Sequence, residues 1–294
     1  ALLGKGADAN LVDGAGRRPI VLAACLQEKF VTSLLDHEAN PNLTSTDGQS
    51  ALHCAVTRQK LPIVNVLLGA GADVEILNTQ GLTPLFVGAT IKGAPGVLEA
   101  LLKGGAATYF KDQIRGWTPL IAAVASSNRI AVEVLLGKMP KSAIDLRAKN
   151  QDTALVQAFR LEASPDNAVI RDTLIQAGAN PNLKGAGDAL PLMIALQNQW
   201  SAVTIQLVSA GADVNLGAGG GMTPLMFAAS SADRNLVEYL LSNGAKAGLV
   251  DAAGNTASAY AKATMRREPW VVSKTWWRAR KIKKFLQKLE AEES

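Results

Sequence analysis

The chain has 294 residues, of which 48% are hydrophobic and 19% are charged, so it can bury a core and is not a disordered chain. No apolar run approaches the ~18 residues that a membrane span requires, and two cysteines with two histidines are too few for a disulfide framework or a Cys/His zinc cluster. We therefore expect a soluble protein of one or two domains in a reducing compartment.

The net charge of +5 is concentrated near the C-terminus. Residues 262–288 hold ten Lys or Arg against one Glu, whereas the first 261 residues are close to neutral. A polyanion-binding surface spread over the whole chain needs more positive charge than that. Nucleic-acid binding is therefore not expected, and any charge-driven function belongs to the C-terminal segment.

A short pattern of Thr-Pro-Leu followed by Ala recurs eight times, 32 to 37 residues apart, and indicates an internal repeat. Thr at an N-cap and Pro at the first helical position predict the start of a short helix, which we call helix A. In chain order, the first to eighth copies start at Arg18, Ser50, Thr83, Thr118, Thr153, Leu190, Thr223 and Thr256.

A second helix, helix B, follows helix A in each repeat. Apolar pairs such as Leu135-Leu136 supply its buried face, and Gly-Ala-Asp or a variant ends it, as at Gly71 and Gly211. The polar stretch from there to the next Thr predicts a turn, which we call the finger. The chain opens inside a repeat and without an initiator Met, so we expect it to be part of a longer polypeptide.

These elements, in register over essentially residues 1–261, resemble the ankyrin repeat. The resemblance implies an all-α fold, an ankyrin-repeat solenoid of stacked helix-turn-helix units with finger turns or β-hairpins. We expect about sixteen helices in seven complete repeats and a modified eighth. The departures from this repeat pattern lie in the middle of the chain. Met139-Pro140 replaces the Gly-Ala end of a helix B, and Gln151 and Asp188 stand where fingers usually have Gly. Ser164-Pro165 predicts a helix B that begins late.

The resemblance also implies a concave partner surface, built from the fingers and the exposed side of helix A. The residue before each Thr is polar or small in most fingers, but it is apolar at Leu82 and Trp117 in neighbouring repeats. Exposed apolar surface marks interaction sites, and Trp is enriched at binding hot spots. The alternative is that Trp117 packs on its own fingers. The predicted protein-binding residues are Leu82, Ile91, Phe110, Ile114, Arg115, Trp117, Arg58 and Lys149.

The eighth repeat is altered. Its helix A is recognisable after Thr256, but the apolar triple of its helix B, Ile282, Phe285 and Leu286, comes twelve residues late. We therefore divide the chain into a repeat domain, 1–261, and a modified last repeat, 262–294, with a twelve-residue insertion and a basic amphipathic capping helix.

The alternative for this end is docking to an anionic membrane, an acidic protein or calmodulin. The basic tract 278–284 also resembles a nuclear-import signal, a pattern of low specificity. The residues predicted for anionic docking are Arg266, Arg267, Trp270, Lys274, Trp277, Arg278, Arg280 and Lys281.

The sequence offers no convergent catalytic set. His53 lies where ankyrin repeats commonly carry a structural His, and we expect Cys25 and Cys54 to be ordinary packing thiols. The glycine stretch 217–221 lies in a finger rather than between a strand and a helix, so it does not predict a phosphate loop. We expect no enzyme activity, no cofactor and no metal.

The sequence therefore predicts an intracellular, non-catalytic adaptor or scaffold that binds a partner protein, in the cytoplasm or in the nucleus. The first alternative is a regulatory or substrate-recruiting arm of a larger enzyme or channel. The second is docking of the basic C-terminal helix to an anionic membrane or an acidic partner.

Overall fold

The computed structural model describes residues 6–93, 95–267 and 274–293. These residues form α-helices, short 3-10 helices and turns, and the only strand-like pairings among them are two isolated bridges in fingers, Thr44 with Ser50 and Ala218 with Met222. The chain divides into two compact bodies, an N-terminal body, Ala1–Ala177, and a C-terminal body, Gly178–Ser294. The predicted all-α ankyrin-repeat fold is confirmed.

The N-terminal body contains five helix pairs in its described residues, each a helix A followed by a helix B. Helices A pack in sequence on one another, as do helices B, so the body has two helical layers. The helices are α1 (Pro19–Leu26), α2 (Glu28–Leu35), α3 (Ala51–Thr57), α4 (Leu61–Gly69), α5 (Pro84–Thr90), α6 (Pro95–Lys103), α7 (Pro119–Ala125), α8 (Arg129–Leu136), α9 (Ala154–Arg160) and α10 (Pro165–Gln176).

The helix starts follow the predicted capping chemistry. The hydroxyls of Thr83 and Thr118 accept hydrogen bonds from backbone N–H groups three residues later, and Pro occupies the first helical position in both helices. Ser164 accepts a hydrogen bond from Asn167 N–H in the same way at the start of α10, where the sequence predicts a late helix B. Such caps satisfy backbone donors that the helix leaves unpaired.

The core lies between the two layers. One leucine of each helix A after the first is at most 1% exposed, and burying such a side chain contributes roughly 1.5–3 kcal/mol. Helices B contribute matching side chains that are fully buried, such as Leu67, Leu101 and Leu135. The leucines of helices A are Leu52, Leu85, Leu120 and Leu155.

The fingers turn at a residue with a left-handed backbone. Gly occupies this position in the second and third fingers, at Gly48 and Gly81, with φ of 72° and 69°. Gln151 and Asp188 have φ of 70° and 57°, so they adopt the same conformation without Gly, as their positions in the repeat pattern suggest. This backbone costs an ordinary L-residue roughly 1–2 kcal/mol.

The C-terminal body contains α11 (Pro191–Gln197), α12 (Ser201–Ser209), α13 (Pro224–Ser230), α14 (Arg234–Ser242), α15 (Ala257–Arg267) and α16 (Lys274–Glu292). Helix α16 packs along α15 and also contacts α13 and α14. Its buried stripe is Ala279, Ile282 and Leu286, each at most 2% exposed.

Phe285 does not belong to the buried stripe of α16, so the predicted apolar triple is wrong for this residue. Its side chain is 45% exposed, because a helix turns about 100° per residue and Phe285 falls off the row that Ile282 and Leu286 form. Phe285 instead lines a surface groove with Val237 and Glu238 of α14. Among the residues that the structure describes, no helix is both long enough and apolar enough to cross a membrane.

Candidate partner-binding surface

The fourth finger, residues 112–117, is shaped by a single buried carboxylate. Asp112 is 6% exposed, and its Oδ1 accepts hydrogen bonds from the backbone N–H groups of Ile114 and Arg115 at 2.8 and 2.7 Å. Its Oδ2 accepts another from Trp117 N–H at 2.7 Å. Three charge-assisted bonds on one side chain fix the path of the finger before any partner arrives.

Three side chains of this finger, Ile114, Arg115 and Trp117, form an apolar and cationic cluster at the surface, which we call the Trp117 cluster. Ile114 is 73% exposed, the highest value for a large hydrophobic side chain in the part of the chain that the structure describes. Trp117 is half-buried, and the Arg115 guanidinium lies 4.5 Å from the centre of its ring. This cation–π contact contributes ~0.5–1 kcal/mol at an exposed site and orients both side chains.

Lys149 of the fifth finger abuts the fourth finger. Its backbone N–H donates to the Arg115 carbonyl at 2.9 Å, and its Nζ donates to the Gln113 carbonyl. Phe110, also in the predicted set, is half-buried just before the finger begins. The structure therefore brings Arg115, Trp117 and Lys149 together, as the sequence predicts.

The neighbouring side chain Tyr109 points to a different place. It is 64% exposed and lines a separate cavity of about 710 Å³ with Leu102 of α6 and Lys138, which follows α8. Tyr109 is therefore an exposed aromatic side chain outside the Trp117 cluster.

The third finger, residues 78–82, has a related arrangement with an amide in place of the carboxylate. Asn78 is 6% exposed, and its Oδ1 accepts from Gln80 N–H and Leu82 N–H, each at 3.0 Å. Leu82 is half-buried, and Leu77, which precedes the finger and is absent from the predicted set, is 42% exposed. The signal in the sequence is the Asn or Asp at the start of these two fingers, a residue type that favours turns.

His53 ties helix A of the second repeat to the third finger. Because a carbonyl only accepts, His53 Nε2 donates to the Leu82 carbonyl at 3.0 Å, and Nδ1 accepts from the Ser50 hydroxyl at 2.9 Å. Burial lowers the pKa of His53 below its ordinary value of 6.5, against the smaller raising effect of the bond to Leu82. The predicted structural role of His53 is confirmed.

Two residues of the predicted set lie at the C-terminal ends of the helices A of their own repeats. Arg58 directly follows α3, and Ile91 directly follows α5. A helix of seven residues is about 10 Å long, so Ile91 lies roughly that far along α5 from Leu82. Ile91 is half-buried, and its carbonyl accepts from the Asn128 side chain at 2.9 Å.

Arg58 lines a groove of about 430 Å³ between α1, α3 and the second finger. Cys25 and Cys54 line the same groove and are joined in a disulfide, so the expectation of two separate packing thiols is wrong. They occupy different positions in their repeats, seven residues after the repeat start Arg18 and four residues after the repeat start Ser50, which hides the pairing in a sequence alignment. Leu22 and Leu26 of α1, absent from the predicted set, are 38% and 61% exposed.

Of the described residues predicted for anionic docking, Arg266 and Arg267 end α15 and the others lie on α16. Trp277 is 53% exposed, and the Arg280 guanidinium lies 5.3 Å from its ring. Trp270 and the side chain of Arg267 lie outside the described residues. The remaining members of this set are exposed: Arg266, Lys274, Arg278 and Lys281.

Glu290 of α16 and Glu293, which directly follows this helix, bind the elements beneath it. Glu290 accepts from Ser258 N–H at 3.1 Å and from the Ser258 hydroxyl at 2.8 Å, at the start of α15. Glu293 accepts from Ala247 N–H at 3.2 Å and Gly248 N–H at 2.7 Å, in the segment after α14. These acidic side chains therefore hold the basic helix in place.

Across the described ranges, no group of three or more His, Cys, Asp or Glu side chains is placed to hold a metal ion. The expectation that the chain has no enzyme activity and no cofactor stays a prediction.

A family model for ankyrin repeats, in three copies, matches residues 1–78 and 163–251, which is more than half of the chain. NF-kappa-B inhibitor delta of Mus musculus is 29% identical over 204 residues, which cover 60% of this chain and 62% of that protein. A putative palmitoyltransferase of Danio rerio is 30% identical over 126 residues, which cover 43% of this chain and 19% of that protein. The chain thus spans less than two thirds of these relatives.

Among solved structures, the ankyrin repeat domain of Bcl-3, described as a member of the IkappaB protein family, is similar with a TM-score of 0.62 and 25% identity. The similarity covers 73% of this chain and 94% of that domain. The family model matches more than half of the chain, and the helix pairs of the chain stack as in ankyrin repeats. The chain therefore belongs to the ankyrin-repeat family, whose domains are protein–protein interaction modules.

Proposed function

We propose that the chain is a non-catalytic adaptor or scaffold that binds a partner protein through its concave surface, with the third and fourth fingers at the centre. The observation that carries the proposal is the fourth finger, where Asp112 holds an exposed Ile114 and an Arg115–Trp117 stack in one conformation. A surface that is ordered before binding loses little conformational entropy when a partner binds.

The chemistry of the cluster favours a partner with an apolar contact and carboxylates around it. Ile114 and Trp117 supply the apolar surface, and Arg115 and Lys149 supply the positive charge. The relative NF-kappa-B inhibitor delta is named for a protein target, which supports an intracellular protein partner here, in the cytoplasm or the nucleus. The palmitoyltransferase is named as an enzyme, but its alignment spans 19% of that protein and carries no catalytic proposal.

Quantitative affinity purification with the whole chain as bait tests the proposal. We expect Trp117→Ala to reduce capture of the most enriched protein at least ~10-fold, because truncation of an interface Trp costs ~2–4 kcal/mol of binding free energy. Leu82→Ser should weaken capture as well, and the double variant should lose less than the sum because the two side chains belong to one surface.

The control is Tyr109→Ala, which removes an exposed aromatic side chain outside the cluster. It should leave capture unchanged, and melting temperatures of all variants should stay close to that of the parent chain. If Trp117→Ala lowers the melting temperature by several degrees and leaves capture intact, Trp117 packs on its own fingers and the proposal is wrong.

We infer a second candidate function, docking to an anionic membrane surface, for the outer face of α16. Trp277, Lys281, Lys284 and Lys288 are exposed and follow one another at helical spacing on the side opposite the buried stripe. The whole helix carries seven Lys or Arg and two Glu. A lysine near an anionic lipid surface contributes about 1 kcal/mol, and Trp favours the headgroup region.

Co-sedimentation with phosphatidylserine-containing vesicles tests this second function. Replacing Lys281 and Lys284 by Gln should lower retention several-fold at low salt without changing the melting temperature, because neither side chain is buried. The control replaces Lys103, an exposed lysine of α6, by Gln. If the vesicles retain both variants equally, the membrane function is wrong and α16 serves only as a cap.

A further inference from the structure

The groove between α1, α3 and the second finger is lined in part by the two cysteines. Its volume is about 430 Å³, and its wall includes Val21, Leu22 and Arg58. Cys25 and Cys54 also line it, and both residues are half-buried. A small molecule that enters the groove can therefore reach the sulfur atoms.

The two cysteines are placed to bond with each other. They are the only cysteines of the chain, and their Cα atoms are 5.3 Å apart, within the range of about 4.4–6.8 Å that disulfides require. Cys25 lies on α1 and Cys54 on α3, so their bond links helix A of the first repeat to helix A of the second.

The reducing compartment and the exposure of the pair favour a reversible disulfide. In a reducing compartment disulfides are transient, and exposed disulfides are more readily reduced than buried ones. This step rests on the intracellular location given under the proposed function. Nearest-neighbour packing of α1 on α3 holds the two cysteines side by side in the reduced form as well.

We propose that Cys25 and Cys54 form a reversible thiol–disulfide site whose substrates are low-molecular-weight disulfides such as oxidised glutathione. One cysteine thiolate attacks the small disulfide, forms a mixed disulfide and releases the first small thiol. The other cysteine then attacks the mixed disulfide and releases the second small thiol. The pair loses two electrons and two protons, and the small disulfide gains them.

The bond changes the stability of the first two repeats. In a repeat array each interface contributes separately, so a covalent link across one interface stabilises that end of the chain. The oxidised protein should therefore melt at a higher temperature than the reduced protein, by at least about 3 °C. The bond also fixes the shape of the groove wall, and a mixed disulfide fills part of the groove.

The test equilibrates the whole chain, folded, with defined ratios of oxidised and reduced glutathione. Free thiols are then alkylated, and peptides are mapped by mass spectrometry without reduction. We expect a Cys25–Cys54 linked peptide whose fraction rises with the oxidised share and falls again when the ratio is reversed. The higher melting temperature should follow the same curve.

The control is a variant with Cys25→Ala and Cys54→Ala, whose melting temperature should not depend on the glutathione ratio. Alkylation of both thiols at every ratio overturns the proposal, as does a linkage found only between two chains. A linked peptide that no excess of reduced glutathione removes from the folded chain also overturns it, since the bond is then permanent. The mapping uses the parent chain, so the outcome does not depend on how the variant folds.

Discussion

One buried side chain in a finger determines which neighbouring side chains reach the surface. Asp112 fixes Ile114, Arg115 and Trp117 through their backbone N–H groups, and Asn78 fixes Leu82 in the same way. Polar atoms buried in this way are costly unless they are hydrogen-bonded, so the finger has little freedom to rearrange. The order of the proposed binding surface therefore follows from hydrogen bonds that the finger's backbone donates to Asp112 and Asn78.

His53 gives the fold a dependence on pH. Because its pKa is lowered in the folded protein, the unfolded chain takes up a proton first as the pH falls through about 6.5. The stability that neutral His53 contributes is therefore fully present above that pH and is lost progressively below it. The hydrogen bond to the Leu82 carbonyl reduces this effect without reversing it.

We predict that the parent chain loses more of its unfolding free energy between pH 7.5 and 5.5 than His53→Gln does, by at most about 1.4 kcal/mol. Urea denaturation at the two pH values measures the difference. His37→Gln is the control, because it replaces the other histidine of the chain at an exposed position. An equal loss in the parent and in His53→Gln would contradict this prediction. It would show that His53 binds its proton as readily in the folded chain as in the unfolded chain.

At the level of the helices, local signals in the sequence predict the fold well. Thr83, Thr118 and Ser164 are N-caps. Each of these caps can be predicted from the residue itself and the few residues that follow it. The pairing of Cys25 with Cys54 could not be predicted in this way, because it depends on how α1 and α3 are rotated against each other. The exposure of Phe285 likewise depends on which face of α16 meets α15.

Helix α16 is attached by acidic side chains at and just beyond its C-terminal end as well as by its apolar stripe. Ala279, Ile282 and Leu286 pack inward, while Glu290 and Glu293 accept hydrogen bonds from backbone groups beneath the helix. We infer that this helix replaces a regular helix B and closes the eighth repeat. The basic residues on its outer face then remain available for a partner.

We predict that Glu290→Ala lowers the unfolding free energy by about 1.5–3 kcal/mol, because it removes two hydrogen bonds to a charged acceptor at Ser258. Glu292→Ala is the matched control on the same helix. Glu292 is exposed and forms only a 3.8 Å ion pair with Lys288 among its described contacts, so its loss should cost ~0.5 kcal/mol or less.

Urea denaturation followed by circular dichroism compares the two variants. If Glu290→Ala and Glu292→Ala are equally stable, the apolar stripe alone attaches α16. Deletion of residues 277–294 should then still destabilise the chain, since it removes Ile282 and Leu286 from the core.

For the chain as a whole, the fold and the function come from different residues. The repeated caps and leucines build the ankyrin-repeat architecture, and those patterns are visible in the sequence. The fold carries no function of its own, so under the proposed function the partner depends on the side chains that the fingers expose. Trp117 and Lys149 could be proposed from their place in the repeat, whereas the role of Asp112 required the path of the finger.

Hydroxyl-radical footprinting of the chain with and without its captured partner tests most directly whether the fourth finger is the binding surface. The method reports the solvent access of individual side chains, and Trp is a sensitive probe. We expect the oxidation rate of Trp117 to fall several-fold in the complex, while that of Tyr109, an exposed aromatic outside the cluster, stays the same. An unchanged rate at Trp117 with protection elsewhere would show that the partner binds another part of the chain.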